Sequence, residues 1–285
     1  MNYGLKVSMS PPRGNRAIQR VADALAKYKP AHVQITDEAN ADLVILHVIG
    51  RQDQVTSKAK GLKRYAVVQY ALRSTLRPST KGWLPLWRGA EVVWSYYDLK
   101  ALCAEDGEKA DFSFYHSALG VEKIFKPGKL KKKYIMMTNS HSYLTESVRE
   151  VVLAAQRVNR SVFYLGPELH QPHVVCKSGI TDKELAEMYS KCEFVSGLRR
   201  VEGFELPVVE GLMCGARPIC FDRPHYRQWF DGLAEFIPET PRDEVINNLE
   251  KLFKSGARPV TETERREAAQ RFNWERIITG FWNSI

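Results

Sequence analysis

Two carboxylates, Glu202 and Glu210, stand eight positions apart in the stretch Val201 to Ile219 (VEGFELPVVEGLMCGARPI), and the residues around them define what such a pair can do. Leu206-Pro207 suits the start of a helix, because proline in the first turn leaves no amide unpaired. The N–H groups of that turn and the positive end of the helix dipole favour an anion such as a diphosphate. The preceding loop, Glu202 to Glu205, sets one carboxylate beside that anion. Glu210 lies about one turn further in, where a carboxylate can accept hydrogen bonds from a ribose diol. Gly215 closes the helix as a C-cap glycine, and Arg217 to Phe221 form the next strand. The plain alternative is a buried strand-loop-helix with two solvated acids.

This stretch resembles the donor-site signature of the retaining glycosyltransferases of the GT-B fold, in particular the family 4 group, whose usual form is E-G-F-G-L-P-x-x-E-A-x-A-C-G-x-P-V. Three further stretches follow in the order of that family. Ala118 to Pro127 (ALGVEKIFKP) is similar to the phrase that closes the first domain, and Ile180 to Tyr189 (ITDKELAEMY) to the helix before the donor loop. Phe272 to Ile277 (FNWERI) resembles the C-terminal helix that crosses back onto the first domain.

The resemblance implies a UDP- or GDP-sugar donor, with no further cofactor and no metal. It also implies transfer with retention, the leaving phosphate oxygen assisting the acceptor hydroxyl. Glu202 would then fix sugar hydroxyls and Glu210 the ribose. Backbone groups of Gly203, Phe204, Glu205, Leu206, Pro207 and Val208 would hold phosphate and sugar, and those near Ile180 the base. The family's Arg and Lys diphosphate clamp is missing: the matching run from Thr138 through Asn139 to Ser147 holds no arginine or lysine. Because charge develops on the leaving group, other cations must supply that role. Arg199 and Arg200 are the replacements expected, ahead of Arg149 and His141, with Asn139 kept as a donor contact. On the acceptor side, the loop Arg13-Gly14-Asn15 either lines the cleft or is an ordinary turn. His47 is an acceptor-side catalytic candidate or a structural histidine at a strand end. Gln69-Tyr70 stands where the family often has a histidine.

These residues need two scaffolds. At 285 residues and 44% hydrophobic the chain can bury two modest cores. Apolar runs alternating with helical periodicity predict an α/β protein of two Rossmann-like domains with parallel sheets, and the resemblance implies that the two face each other in the GT-B arrangement. The predicted first domain is residues 1–125 plus a C-terminal helix over 271–285, for the acceptor; the second, residues 126–270, binds the donor. Expected strands include 43–48, 65–70, 134–138, 192–196 and 217–221, and closing helices span 240–253 and 261–282. Substrates would meet in the cleft beyond the strands' carboxyl ends.

No run of about 18 apolar residues and no apolar leader appear, so a cytoplasmic location is expected. Five scattered cysteines suggest neither disulfides nor zinc. His170, His173 and Cys176 read better as a loop near the base pocket than as metal ligands.

The net charge is +9, and Arg51 to Arg88 concentrates it, with nine bases against one acid, Asp53. Tyr65, Tyr70, Trp83 and Trp87 interleave with those bases, a combination that suits a nucleic-acid groove and a flipped base. Arg73, Arg77, Tyr70 and Trp83 are its predicted acceptor-groove residues. Compact size and a basic acceptor domain resemble viral (phage) DNA-modifying glucosyltransferases, which makes a hydroxymethylated base in double-stranded DNA the preferred acceptor. The alternatives are a glycan or lipid acceptor at an anionic membrane face, and a non-catalytic nucleic-acid-binding relative.

Overall fold

The structure, a computed structural model, describes residues 4–9, 16–72, 80–139, 147–200 and 204–285. In chain order the elements are β1 (Leu5–Met9), α1 (Arg16–Lys27), β2 (Val33–Ile35), β3 (Leu43–Val48), α2 (Gln52–Lys60), β4 (Tyr65–Gln69), α3 (Leu84–Arg88), β5 (Val93–Ser95), α4 (Leu99–Glu105) and β6 (Phe114–His116). There follow β7 (Tyr134–Asn139), α5 (Val148–Arg157), β8 (Val162–Leu165), β9 (Val174–Lys177), α6 (Asp182–Ser190), β10 (Cys192–Gly197), α7 (Leu206–Met213), β11 (Arg217–Phe221), α8 (Pro224–Phe230), β12 (Glu235–Ile237), α9 (Arg242–Ser255), α10 (Glu262–Arg271) and α11 (Trp274–Trp282). The chain forms two compact units, Met1–Gly120 with Asn273–Ile285, and Val121–Phe272. Each holds one parallel sheet of six strands, so the fold is α/β.

In the first unit the strand order is β2-β1-β3-β4-β5-β6. Its central strand β3 (LVILHV) is buried at every position, as a parallel strand covered on both faces must be. Helix α1 turns Ile18, Val21, Ala22, Ala24 and Leu25 inward at helical spacing. The last helix, α11, belongs to this unit. Its Trp282 indole donates to the Leu25 carbonyl at 3.3 Å, and the Tyr115 hydroxyl donates to the Ile277 carbonyl at 2.7 Å. Gly120 faces Trp274 so closely that an added Cβ would lie 2.3 Å from the indole.

In the second unit the order is β12-β11-β10-β7-β8-β9. Helix α7 lies on β10 at a distance only glycine permits: a Cβ on Gly211 would come within 2.6 Å of the Val195 side chain. Gly215, at φ +84°, takes the left-handed turn that ends α7. Helices α6 and α10 both open with capping boxes, Thr181 with Glu184 and Thr261 with Glu264. Arg217 of β11 is fully buried and ties α10 down, meeting the Glu264 carboxylate at 2.8 and 3.0 Å and donating to the Leu233, Arg258 and Pro259 carbonyls.

The closing helix predicted over 261–282 is two helices. Asn273 accepts the Arg276 N–H at 2.9 Å and so starts a new N-terminus, and the chain passes from one unit to the other at this break. Strands β6, β9 and β12 and helices α2, α3 and α8 are additions to the expected elements.

Candidate functional site

In an open parallel sheet, ligands meet the carboxyl ends of the strands where the connections turn from one side to the other. In the second unit that point lies between β7 and β10, since β8 and β9 step away on one side and β11 and β12 on the other. Strand β7 ends there at half-buried Asn139, and β10 at Gly197, followed by Leu198, Arg199 and Arg200 and then the approach to α7. Glu202 and Gly203 lie outside the described residues, as do Arg13, Gly14, Asn15, Arg73, Arg77 and His141.

Glu205 precedes α7 with extended backbone, and its side chain makes no capping bond to the helix. Its carboxylate, 1% exposed, instead meets the Arg199 guanidinium at 3.1 Å and accepts the Tyr226 hydroxyl at 3.1 Å. Leu206 and Val208 turn their side chains into the core, Pro207 has no N–H to offer, and the Val208 N–H already donates to the Glu205 carbonyl at 3.1 Å. Phe204 anchors the loop in an aromatic cluster, its ring 5.4 Å from Phe230 and 5.7 Å from Phe272. Glu210 is buried one turn inside α7 and accepts the Tyr189 hydroxyl at 3.1 Å. Beside it, burial and this carboxylate push the Cys214 thiol up to about 12. Ile180 packs in the same core as Tyr189 and Phe125.

Arg200 stands in a charged cluster along the carboxyl edge. Its Nη1 donates to Glu239 at 3.0 Å, its Nη2 lies 4.0 Å from Glu150, and its guanidinium stacks 5.1 Å from the Phe221 ring centre. Arg223 pairs with the same Glu239 and donates to the Arg200 carbonyl at 2.6 Å, while Arg242 donates to Glu150 at 3.2 Å. Three guanidiniums thus share two carboxylates, leaving one positive charge in surplus among these five side chains. Sequence reasoning missed Arg223, Glu239, Glu150, Arg242 and Tyr226. The available signal was position: Arg223 and Glu239 each follow a parallel strand by two residues, and Glu150 sits in the first turn of α5.

In the first unit the connections reverse between β1 and β3, and His47 lies near the carboxyl end of β3. Its Nδ1 is 2.7 Å from the Tyr70 hydroxyl and the two rings stack; among the described residues Nε2 has no hydrogen-bond partner. Burial pulls its pKa down to about 4, so the imidazole is neutral at physiological pH.

The aromatic half of the expected nucleic-acid groove is corrected by the structure. Trp83 and Trp87 are 2% and 0% exposed and stack on each other, and Tyr65 and Tyr70 are buried as well. These rings build the core of the first unit and present no face to a base. The charge of the same window is also reduced, because Lys58, Arg64 and Arg88 pair with Glu38, Glu91 and Asp111 at 2.6, 2.8 and 2.5 Å.

Among the described residues no group of three His, Cys, Asp or Glu side chains converges to hold a metal, and no helix is long and apolar enough to cross a membrane.

No family model matches the chain, and neither does any curated protein. Solved structures do. Sucrose-phosphate synthase from Thermosynechococcus elongatus superposes with a TM-score of 0.74 at 11% identity, over 98% of both chains. HepE of Anabaena, solved with UDP-glucose, gives 0.72 at 11% identity over 98% of this chain and 99% of its own. The pneumococcal O-GlcNAc transferase GtfA, solved with UDP and GlcNAc, gives 0.63 at 15% identity; 85% of this chain covers 56% of that longer one. The fold of this chain, two six-stranded parallel sheets with their helices, is that of the GT-B glycosyltransferases.

Proposed function

We propose that the chain is a glycosyltransferase that takes a sugar from a nucleotide-diphosphate donor, with retention of configuration, at the carboxyl edge of the second sheet. The observation that carries the reading is the placement of α7. Its N-terminus, which the Glu205 side chain does not cap, stands just past β10 at the point where ligands of open parallel sheets bind. Neighbours of the same fold were solved with UDP-glucose and with UDP, which supports a nucleotide-sugar ligand in this place.

In this reading the diphosphate lies against the first turn of α7. The surplus positive charge of Arg200 and its partners stands in for the missing clamp, and Arg199 holds Glu205 so that the loop keeps its shape. Glu202 fixes sugar hydroxyls, and Glu210, held by Tyr189, receives the ribose. The neutral His47 offers its Nε2 to an acceptor hydroxyl in the first unit. For the acceptor, burial of the four rings removes the stacking platform that favoured a DNA base, so a glycan or lipid hydroxyl becomes the preferred choice.

The test is titration of the chain with UDP- and GDP-sugars by calorimetry, followed by assay of donor hydrolysis and transfer. Glu202→Ala and Arg200→Ala should each lower turnover on the order of a hundredfold. Binding of no nucleotide sugar, or turnover unchanged in both variants, overturns the proposal. The anomeric configuration of the product, read by NMR, decides retention.

A further inference from the structure

The sequence places the basic surplus in the 51–88 window, yet among the described residues a second run of lysines stands exposed elsewhere. The segment 123–133 (KIFKPGKLKKK) holds six lysines and no acid. It is pinned along the amino edge of the second sheet, opposite the proposed donor site. The Gly128 N–H donates to Ser190 Oγ at 3.1 Å, the Lys133 N–H to the Lys191 carbonyl at 2.7 Å, and Phe125 is buried beneath. Lys132 donates to the Cys192 and Gly215 carbonyls at 2.7 and 2.9 Å, and the Lys133 ammonium lies 5.4 Å from the Tyr134 ring centre.

Apart from Lys132, the five lysines Lys123, Lys126, Lys129, Lys131 and Lys133 are exposed, and none pairs with a carboxylate among the described residues. Between them Ile124 and Leu130 stand 42% and 40% exposed, two of the five large apolar side chains that reach solvent among the described residues. Exposed cations interleaved along one segment with exposed apolar side chains fit a surface that offers both negative charge and hydrocarbon.

We propose that this edge of the second unit docks on an anionic lipid bilayer, the lysines meeting headgroup phosphates and Ile124 and Leu130 entering the interface. A nucleic acid would satisfy the lysines alone. The segment carries no exposed aromatic ring on which a base could stack. The inference stands apart from the donor reading, because it concerns the opposite edge of the sheet.

Co-sedimentation of the full chain with phosphatidylcholine vesicles, with and without phosphatidylglycerol, tests it. Binding is expected only to the anionic vesicles and should weaken with salt. Lys129→Glu/Lys131→Glu/Lys133→Glu should reduce it on the order of a hundredfold, at about 1 kcal/mol per lysine. Ile124→Ser/Leu130→Ser should reduce it roughly tenfold with its salt dependence kept. Donor hydrolysis in solution should stay at the wild-type rate in both variants, which separates failure here from failure of the proposed activity. No binding to anionic vesicles overturns the proposal. So does equal binding to neutral ones, or duplex DNA binding that outcompetes vesicles and is indifferent to the Ile124/Leu130 change. Melting temperatures check that the variants fold, and Lys129→Gln/Lys131→Gln serves if the triple reversal does not.

Discussion

His47 is buried as a neutral ring with a folded-state pKa of about 4, against 6.5 for an ordinary histidine, and this sets a pH dependence of stability. Above pH 6.5 neither the folded nor the unfolded chain protonates it, so it contributes no slope there. As pH falls below 6.5 the unfolded chain takes up the proton first, and stability is lost progressively until about pH 4. Between pH 7 and pH 5 the wild type should lose about 2 kcal/mol more than His47→Gln, measured by urea melts of both proteins. Equal losses would mean that the ring is solvated. At this scale sequence reading succeeded where one residue type has one physical use. Gly215 reads as a helix end because only glycine adopts φ +84° cheaply. It failed for Trp83 and Tyr70, because alternation of bases and rings looks the same whether the rings face a ligand or the core.

Helix α7 couples packing to the site. Gly211→Ala pushes against Val195 of β10 and should cost roughly 1–3 kcal/mol, displacing the N-terminus that faces the donor. Gly215→Ala should cost about 1 kcal/mol through backbone conformation alone, at the far end of the helix. Both variants should melt earlier, but only Gly211→Ala should weaken nucleotide-sugar binding; a matched loss in the two would detach α7 from the site. The elements legible in sequence were those with long apolar runs or a capping phrase, such as β3, β10 and α6. The elements that escaped were short, often at sheet edges. Strand β9 alternates half-buried and exposed residues, and β12 has three residues of which one is buried. Where a strand has little to bury, its sequence carries little of the pattern by which strands are recognised. Because β12 went unseen, so did Glu239 behind it, and with it the cluster that holds Arg200.

For the molecule as a whole, α11 matters out of proportion to its length. Trp274, Ile277, Ile278, Phe281 and Trp282 are all buried, and at roughly 1.5–3 kcal/mol each they contribute about as much as the net stability of an ordinary domain. Removing Asn273–Ile285 should therefore unfold the first unit and spare the second. Hydrogen exchange should show protection lost across β1 to β6 and kept across β7 to β12; protection kept in both sheets would show the first unit to be self-sufficient.

The first unit is built from two stretches with the whole of the second unit threaded between them. During translation, residues up to Gly120 leave the ribosome early yet lack the segment that seals their core until Asn273–Ile285 has emerged. At about 5–20 residues per second this interval is roughly 8–30 s. The nascent chain accordingly matures in reverse: the later-made Val121–Phe272 closes while the earlier-made sheet still waits with one flank bare, and that flank is where a chaperone would find its grip.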